Sequence, residues 1–223
     1  MTATLLIHGY NWDIDTEDPE YKQYWFWRLF ATEPAIPYNW QSSPTWRDSW
    51  RNGRVHRYHR AWDMAADVGL VLRQDLLKRK EPVNIICHSL GARVVLQALK
   101  TSESLPVKRV LIFNGSESSR NASHICCLQP NIEFYSVVVK ADGVLRWFGG
   151  LGTPGKFYEN VIGLHGVKGN DVNWHDLFLG AAGDFPGWGS DHNWSWRNPA
   201  NIPIWKEVLA GKFSNTPTPK ILD

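Results

Sequence analysis

The chain has 223 residues, of which 43% are hydrophobic and 21% charged. This length and balance are typical of one globular domain with a core large enough to need no disulfide or metal. The formal net charge of +2 is too small to indicate binding to nucleic acid or to a charged membrane surface.

Cellular location is indicated by three features of the sequence. The three cysteines do not form a disulfide framework and are expected to be reduced thiols. Residues 1–9 lack the basic segment and the small-residue cleavage site of a signal peptide. No apolar run approaches the ~20 residues of a membrane span. We therefore expect a cytoplasmic protein without stable membrane insertion, while its oligomeric state stays open.

Short apolar segments alternate with segments of helical periodicity along the chain. Strands are predicted at residues 4–8, 55–62, 83–87, 107–113, 132–139 and 160–164. Helices are predicted at residues 18–31, 65–78, 90–99, 119–129 and 203–210. This alternation predicts a mostly parallel sheet of about six strands covered on both faces, a three-layer α/β/α sandwich in a single domain, residues 1–223.

The remaining segments are predicted to be long loops: residues 33–53, 149–155 and 183–198. The chain contains 13 tryptophans, many of them within residues 12–62 and 174–205. They are expected either to anchor core and loops or to form an aromatic wall for an apolar substrate. Residues 13–52 are accordingly a candidate tryptophan-rich lid or a fixed wall.

The most specific motif is VNIICHSLGA at residues 83–92. A serine on a tight turn between an apolar strand and a helix is typical of a nucleophile elbow, which exposes the Ser89 hydroxyl at the carboxyl edge of a sheet. The turn requires small residues on both sides, which Gly91 satisfies fully and Cys87 less well. His88 is interpreted as structural. The alternative is that Ser89 only caps an ordinary helix.

A second signal is the turn at which the first predicted strand ends, formed by His8 and Gly9. In a sheet with an elbow, the loop after this strand supplies one backbone N–H group that stabilises an oxyanion. The residue after the nucleophile supplies the other. The candidates are the N–H groups of Tyr10 and Leu90, with His8 and Gly9 as structural residues of the turn.

The His8-Gly9 turn, the CHSLG elbow at residues 87–91 and the strand order resemble the α/β-hydrolase superfamily, in particular its small lipase- or esterase-like branches. The resemblance covers the chain from residue 4 to about residue 196. It implies a trimmed sheet, because little chain precedes the first strand, and a triad in the order serine, acid, histidine. Cys87 departs from the family pattern, which has glycine there.

The resemblance implies an acid just after a late strand, where Asp142 follows the predicted strand at residues 132–139. Its role would be to hold the tautomer of the catalytic histidine. An aspartate beside a glycine is also common in ordinary turns. Glu117, Asp171 and Asp176 are the other candidates.

The resemblance places the histidine later still, and three histidines follow Asp142. His192 lies in a loop before the last predicted helix, which is the usual location in the family. His175 and His165 are the alternatives. The implied mechanism has His192 take the proton from Ser89, which attacks an acyl carbonyl and forms an acyl-enzyme.

These residues predict a serine hydrolase that cleaves small-molecule or lipid-like carboxylic esters without a cofactor or metal. An amidase, thioesterase, lactonase or acyltransferase would use the same residues, and a non-catalytic binding protein on a hydrolase scaffold is the alternative of another class. A metal site at His56 and His59 is disfavoured, because residues three apart on a strand face opposite sides. The sequence also has no dinucleotide or phosphate-binding glycine motif.

Overall fold

The computed structural model describes residues 2–10, 26–40, 42, 46–146, 160–167, 172–179 and 190–213, with the backbone alone for residues 46–57, 190 and 191. Six strands form one sheet. They are β1 (Thr4–Ile7), β2 (Ala35–Tyr38), β3 (Val83–His88), β4 (Val107–Phe113), β5 (Glu133–Val139) and β6 (Trp174–Leu179). The order across the sheet is β2-β1-β3-β4-β5-β6, and every neighbouring pair is parallel.

Helices cover this sheet on both faces. They are α1 (Trp46–Leu77), α2 (Gly91–Leu99), α3 (Ser119–Leu128), the single-turn α4 (Ile162–His165), α5 (Ser190–Arg197) and α6 (Ile202–Ala210). A short 3₁₀ helix, Pro199–Asn201, joins α5 to α6. None of the helices in the described part of the chain combines the length and the apolar composition needed to cross a bilayer.

Alternate residues of each central strand point into two separate cores. On β3, Ile85 packs with α1, α2 and α3, whereas Ile86 packs with the side chains of α5 and α6. On β4, Ile112 and Phe113 divide in the same way. Because side chains alternate along a strand, a sheet that is apolar on both faces requires helices on both. The three-layer α/β/α architecture expected from the sequence is confirmed.

The chain reverses its direction across the sheet after β2. It adds β2 on one side of β1 and then returns to place β3 on the other side. The neighbouring carboxyl ends of β1 and β3 therefore form a topological switch point, where open α/β sheets bind ligands. His8 and Ser89 follow these two strand ends directly.

The strand predicted at residues 55–62 is wrong, because these residues lie inside the 32-residue helix α1. Tyr58, Ala61, Trp62 and Ala65 are all buried. Their spacing of three, four and seven residues gives one helical stripe facing the sheet. The alternation of arginine, histidine and tyrosine in this segment imitated a strand pattern. The helix predicted at residues 65–78 is the second half of the same element.

Three further expectations differ from the structure. The loop predicted at residues 33–53 contains the strand Ala35–Tyr38 and the start of α1, and the strand predicted at 160–164 is instead the helix Ile162–His165. The strand Trp174–Leu179 was missed, and the loop predicted at 183–198 contains the helix Ser190–Arg197. Both missed strands lie at the edges of the sheet, where half-buried residues weaken the hydrophobic pattern.

Some expectations fall outside the described residues. These are most of the helix predicted at 18–31, the first part of the candidate lid at 13–52, and the glycine-rich loop at 149–155.

Candidate active site

Ser89 occupies a sharp turn between β3 and α2. Its φ of 52° lies in the left-handed region, which side chains other than glycine rarely adopt. The Ser89 N–H donates to the carbonyl of Phe113 at 3.0 Å, and the Ser89 carbonyl accepts from the Ser116 N–H at 2.9 Å. Backbone in such a region costs about 1–3 kcal/mol and persists only where surrounding bonds enforce it. The turn has the conformation expected of a nucleophile elbow.

Two glycines allow the first strand to approach this turn. A Cβ on Gly91 would lie 2.5 Å from the carbonyl oxygen of His8 and 2.7 Å from that of Ile7. A Cβ on Gly9 would lie 2.9 Å from the Ser89 Cβ. Since real Cβ atoms do not tolerate such distances, both positions require glycine. The turn after β1 therefore lies directly against the serine.

Asp142 and His192 meet in the interior. The His192 ring nitrogen Nδ1 lies 2.6 Å from Asp142 Oδ2, and Asp142 is 0% exposed. The other oxygen, Oδ1, accepts the backbone N–H of Leu145 at 3.0 Å. Burial raises the pKa of Asp142, but the charge and hydrogen bond of His192, and then the bonds from Leu145 and Asn114, outweigh it and lower the pKa. Asp142 is therefore an anion that fixes the ring.

His88 supports the backbone of His192. Its Nε2–H donates to the His192 carbonyl at 3.0 Å, and the two rings lie 4.6 Å apart. Its other nitrogen, Nδ1, is buried without a hydrogen bond. Burial, and then the neighbouring His192, lower the pKa of His88 well below its usual range. A neutral His88 with the proton on Nε2 suits the structural role predicted for it.

The structure joins Asp142 to His192 but, within the described residues, gives no hydrogen bond between His192 and the Ser89 hydroxyl. Catalytic hydrogen bonds of this kind often tighten only when substrate binds. Ser89 is 6% exposed, so its side chain is close to the surface of the site but largely enclosed.

The alternative acids have other partners. Glu117 is buried and forms an ion pair with Arg93 at 2.8 Å. Asp176 accepts hydrogen bonds from the Trp174 indole at 2.9 Å and from the Val167 N–H at 2.8 Å. Asp171 lies outside the described residues.

The alternative histidines also lie apart from Asp142. His175 is on the edge strand β6, with its ring 4.8 Å from that of Tyr135. His165 is exposed at the end of α4. The structure thus brings His192, and neither of these two, to Asp142.

The two predicted oxyanion donors lie on either side of the switch point. Leu90 is the N-cap residue of α2, so its N–H belongs to the helix terminus that favours negative charge. Tyr10 is half-buried in the turn after β1, and its ring meets that of Tyr58 edge to face at 5.6 Å.

The other residues predicted to be structural are buried in the elbow and its neighbouring turn. His8 accepts the Trp40 backbone N–H through Nε2 at 3.4 Å, and its carbonyl accepts the Trp40 indole N–H at 3.0 Å. Cys87 is buried in β3, where burial strongly raises the pKa of its thiol and keeps it neutral. No group of His, Cys, Asp or Glu side chains within the described ranges could hold a metal ion.

Four residues of this region were not predicted. Asn114 contacts Asp142 and Ser195, and Tyr58 shares a 2.5 Å hydrogen bond with Ser116. Asn114 and Ser116 follow β4 immediately, at the carboxyl edge of the sheet. Their position after an apolar strand is the one signal that could have identified them.

A parallel sheet in this strand order, with a serine on a sharp turn after β3, has the architecture of a trimmed α/β-hydrolase fold. No family model and no curated protein sequence matches the chain.

Several solved structures are similar over nearly the whole chain. The product of lin2722 from Listeria innocua has a TM-score of 0.47 at 10% identity, covering 97% of this chain and 96% of that one. A candidate YdeN-like hydrolase from Pectobacterium atrosepticum has a TM-score of 0.43 at 13% identity, with coverages of 96% and 94%. Est816, an N-acyl homoserine lactone degrading enzyme, has a TM-score of 0.43 at 13% identity, with coverages of 96% and 93%. Identities and scores this low assign neither an activity nor a substrate.

Proposed function

We propose that the protein is a serine hydrolase that cleaves carboxylic esters, with Ser89 as nucleophile, His192 as general base and Asp142 as the acid that orients it. The substrate would be a small-molecule or lipid-like acyl ester. The proposal requires neither a metal nor a cofactor.

One observation carries the proposal: the 2.6 Å hydrogen bond between buried Asp142 and His192, at the edge of the sheet that also holds the Ser89 elbow. A carboxylate that accepts from Nδ1–H leaves the Nε2 lone pair of the ring as the proton acceptor. The anion also stabilises the imidazolium that forms when the ring takes up a proton. Burying an ionised group costs free energy, and packing alone does not require such a pair in the interior.

The proposed reaction proceeds in two halves. His192 Nε2 removes the Ser89 hydroxyl proton as Oγ attacks the ester carbonyl, and the protonated ring then donates that proton to the departing alcohol. Water, deprotonated by the same nitrogen, releases the carboxylic acid from Ser89. Each tetrahedral oxyanion would be bound by the N–H groups of Leu90 and Tyr10, and one such donor contributes about 10²–10³ in rate in related chemistry.

Hydrolysis of 4-nitrophenyl esters of increasing acyl length tests the proposal. Wild-type protein should release 4-nitrophenol in a burst followed by steady turnover, and Ser89→Ala should show neither. Ser136→Ala is the matched control, because it removes a buried serine hydroxyl on β5 that has no hydrogen bond. It should keep the wild-type rate. If the protein turns over only amides, thioesters or lactones, the triad stands and the proposed substrate class is wrong. Equal rates for wild type and Ser89→Ala would exclude the triad.

A further inference from the structure

Asn114 follows directly after β4, and its side chain is completely buried. The two ends of its amide contact different elements. Nδ2 donates to Asp142 Oδ2 at 2.8 Å, and Oδ1 accepts the Ser195 hydroxyl at 2.7 Å. Asn114 therefore connects the turn after β5, which holds Asp142, to α5, which holds both Ser195 and His192.

The backbone of Asn114 is unusual in the same way as that of Ser89. Its φ is 48°, and these two are the only residues other than glycine with positive φ in the described part of the chain. Asparagine tolerates this conformation better than most residues, whereas glycine would adopt it but lack the amide. The position thus requires both the conformation and the side chain of asparagine.

Three donors hold the Asp142 carboxylate. His192 and Asn114 both donate to Oδ2, and the Leu145 N–H donates to Oδ1. With hydrogen bonds on both oxygens and in different directions, the carboxylate cannot rotate about its own axis without losing one of them. Its orientation toward the imidazole is therefore determined by Asn114 as well as by the turn.

The Oδ1 end of the Asn114 amide binds α5 through the Ser195 hydroxyl. His192 and Ser195 are three residues apart on this helix and so project from the same side. Ser195 has two hydrogen bonds of this kind, because its carbonyl also accepts the Asn201 Nδ2–H at 3.0 Å. One amide thus connects the carboxylate to the helix that carries its partner ring.

We propose that Asn114 is a positioning residue, which aligns Asp142 with His192 by binding the carboxylate and α5 at the same time. Its effect on rate rests on the proposed function of Ser89, whereas its effect on the Asp142–His192 hydrogen bond does not. Substitution of a residue that only stabilised the fold would change neither the Asp142–His192 hydrogen bond nor the reactivity of the folded protein.

The test uses Asn114→Leu, which retains the size of the side chain and removes both hydrogen bonds, together with Asn114→Gly, which removes the same bonds without straining the positive φ. Asn84→Leu is the matched control, because Asn84 is 1% exposed and lies at the opposite, amino end of β3. Ser195→Ala removes only the hydrogen bond between Asn114 and α5. It serves as a milder variant should Asn114→Leu not fold.

Two measurements are made on each folded variant. One is the proton NMR resonance of His192 Nδ1–H, expected far downfield and assigned by its absence in His192→Gln. The other is the rate of labelling by a fluorophosphonate, separated into the limiting rate and the probe concentration at half-maximal rate.

Asn114→Leu should shift or broaden the resonance and lower the limiting labelling rate about tenfold or more, with the half-maximal concentration unchanged. Ser195→Ala should change both quantities in the same direction by a smaller factor, and Asn84→Leu should change neither. An unchanged resonance and rate in folded Asn114→Leu would overturn the inference, as would unchanged values in Ser195→Ala if the leucine variant does not fold. A wild-type protein that shows the resonance but no labelling would instead contradict the proposed function.

Discussion

Two buried asparagines at opposite edges of the sheet, Asn114 and Asn84, differ in their hydrogen bonds. At the carboxyl edge, Asn114, Asp142 and His192 are joined by hydrogen bonds of 2.6–2.8 Å. At the amino edge, Asn84 is equally buried, but its Nδ2 reaches Thr32 Oγ1 at 3.3 Å and the Leu209 carbonyl at 3.5 Å, and its Oδ1 has no hydrogen bond.

The backbone shows the same contrast. Both positive-φ residues other than glycine in the described ranges, Ser89 and Asn114, follow strands at the carboxyl edge. Positive φ at two neighbouring positions supports the proposed site, because such backbone is costly and tends to occur where geometry is held for chemistry. Substitutions at the carboxyl edge should therefore change reactivity, and matched substitutions elsewhere should change stability alone.

The largest effect is expected for Asp142→Asn. The amide cannot hold the His192 proton on Nδ1 as the carboxylate does, and the comparable change in a serine triad lowers turnover by about 10⁴. Fluorophosphonate labelling followed by intact mass measures the loss. Asp176→Asn is the control, because Asp176 is also partly buried and hydrogen-bonded but lies on the edge strand β6. Equal labelling rates in the two variants would remove Asp142 from the mechanism.

An intermediate effect is expected for Gly91→Ala. The new Cβ would lie 2.5 Å from the His8 carbonyl oxygen, so the turn after β1 must move away from the elbow. We expect destabilisation by about 1–3 kcal/mol in urea unfolding. We also expect slower labelling, because the N–H groups of Tyr10 and Leu90, the proposed oxyanion donors, would be displaced from each other.

Gly143→Ala is the control for this substitution, since nothing lies within 4 Å of a Cβ at that position. It should leave both the free energy of unfolding and the labelling rate unchanged. A Gly91→Ala protein as stable and reactive as Gly143→Ala would show that the close approach of β1 is not needed.

The smallest effect concerns the pH dependence of stability through His88. Burial lowers its pKa in the folded protein, while the unfolded chain has the ordinary value of about 6.5. Below that pH the unfolded state takes up a proton that the folded state does not. Stability should therefore fall as the pH drops below about 6.5, by up to ~1.4 kcal/mol per pH unit from this group.

Urea unfolding between pH 7 and pH 5 measures this slope. His88→Gln should reduce it, whereas His165→Gln, at an exposed position, should leave it as in the wild type. Identical slopes in all three proteins would mean that His88 takes up its proton over the same pH range in the folded and unfolded states.

The parts of the fold predicted from sequence are those with a local cause. The strands β3 and β4 are mostly apolar, and α2 follows an elbow whose serine and glycine are two residues apart in the chain. The strand β2 was missed because its four residues are all half-buried and include Pro37. Residues 55–62 were assigned to a strand because the buried stripe of α1 becomes clear only with Ala65 and the following turns.

The candidate site follows the same rule. Ser89 is predicted from its immediate neighbours, and Asp142 and His192 from their order in a resembling family. Asn114 could not be found in this way, because its role depends on contacts with residues 28 and 81 positions away. Such contacts exist only once the sheet has brought the ends of β4 and β5 side by side.

The most direct test of the proposed mechanism is the site of covalent labelling by a fluorophosphonate, determined by intact mass and peptide mapping on the wild-type protein. We predict one adduct per chain, on Ser89, which is absent from Ser89→Ala and present in Ser136→Ala. An unlabelled wild-type protein, or an adduct on any other residue that persists in Ser89→Ala, would contradict the mechanism.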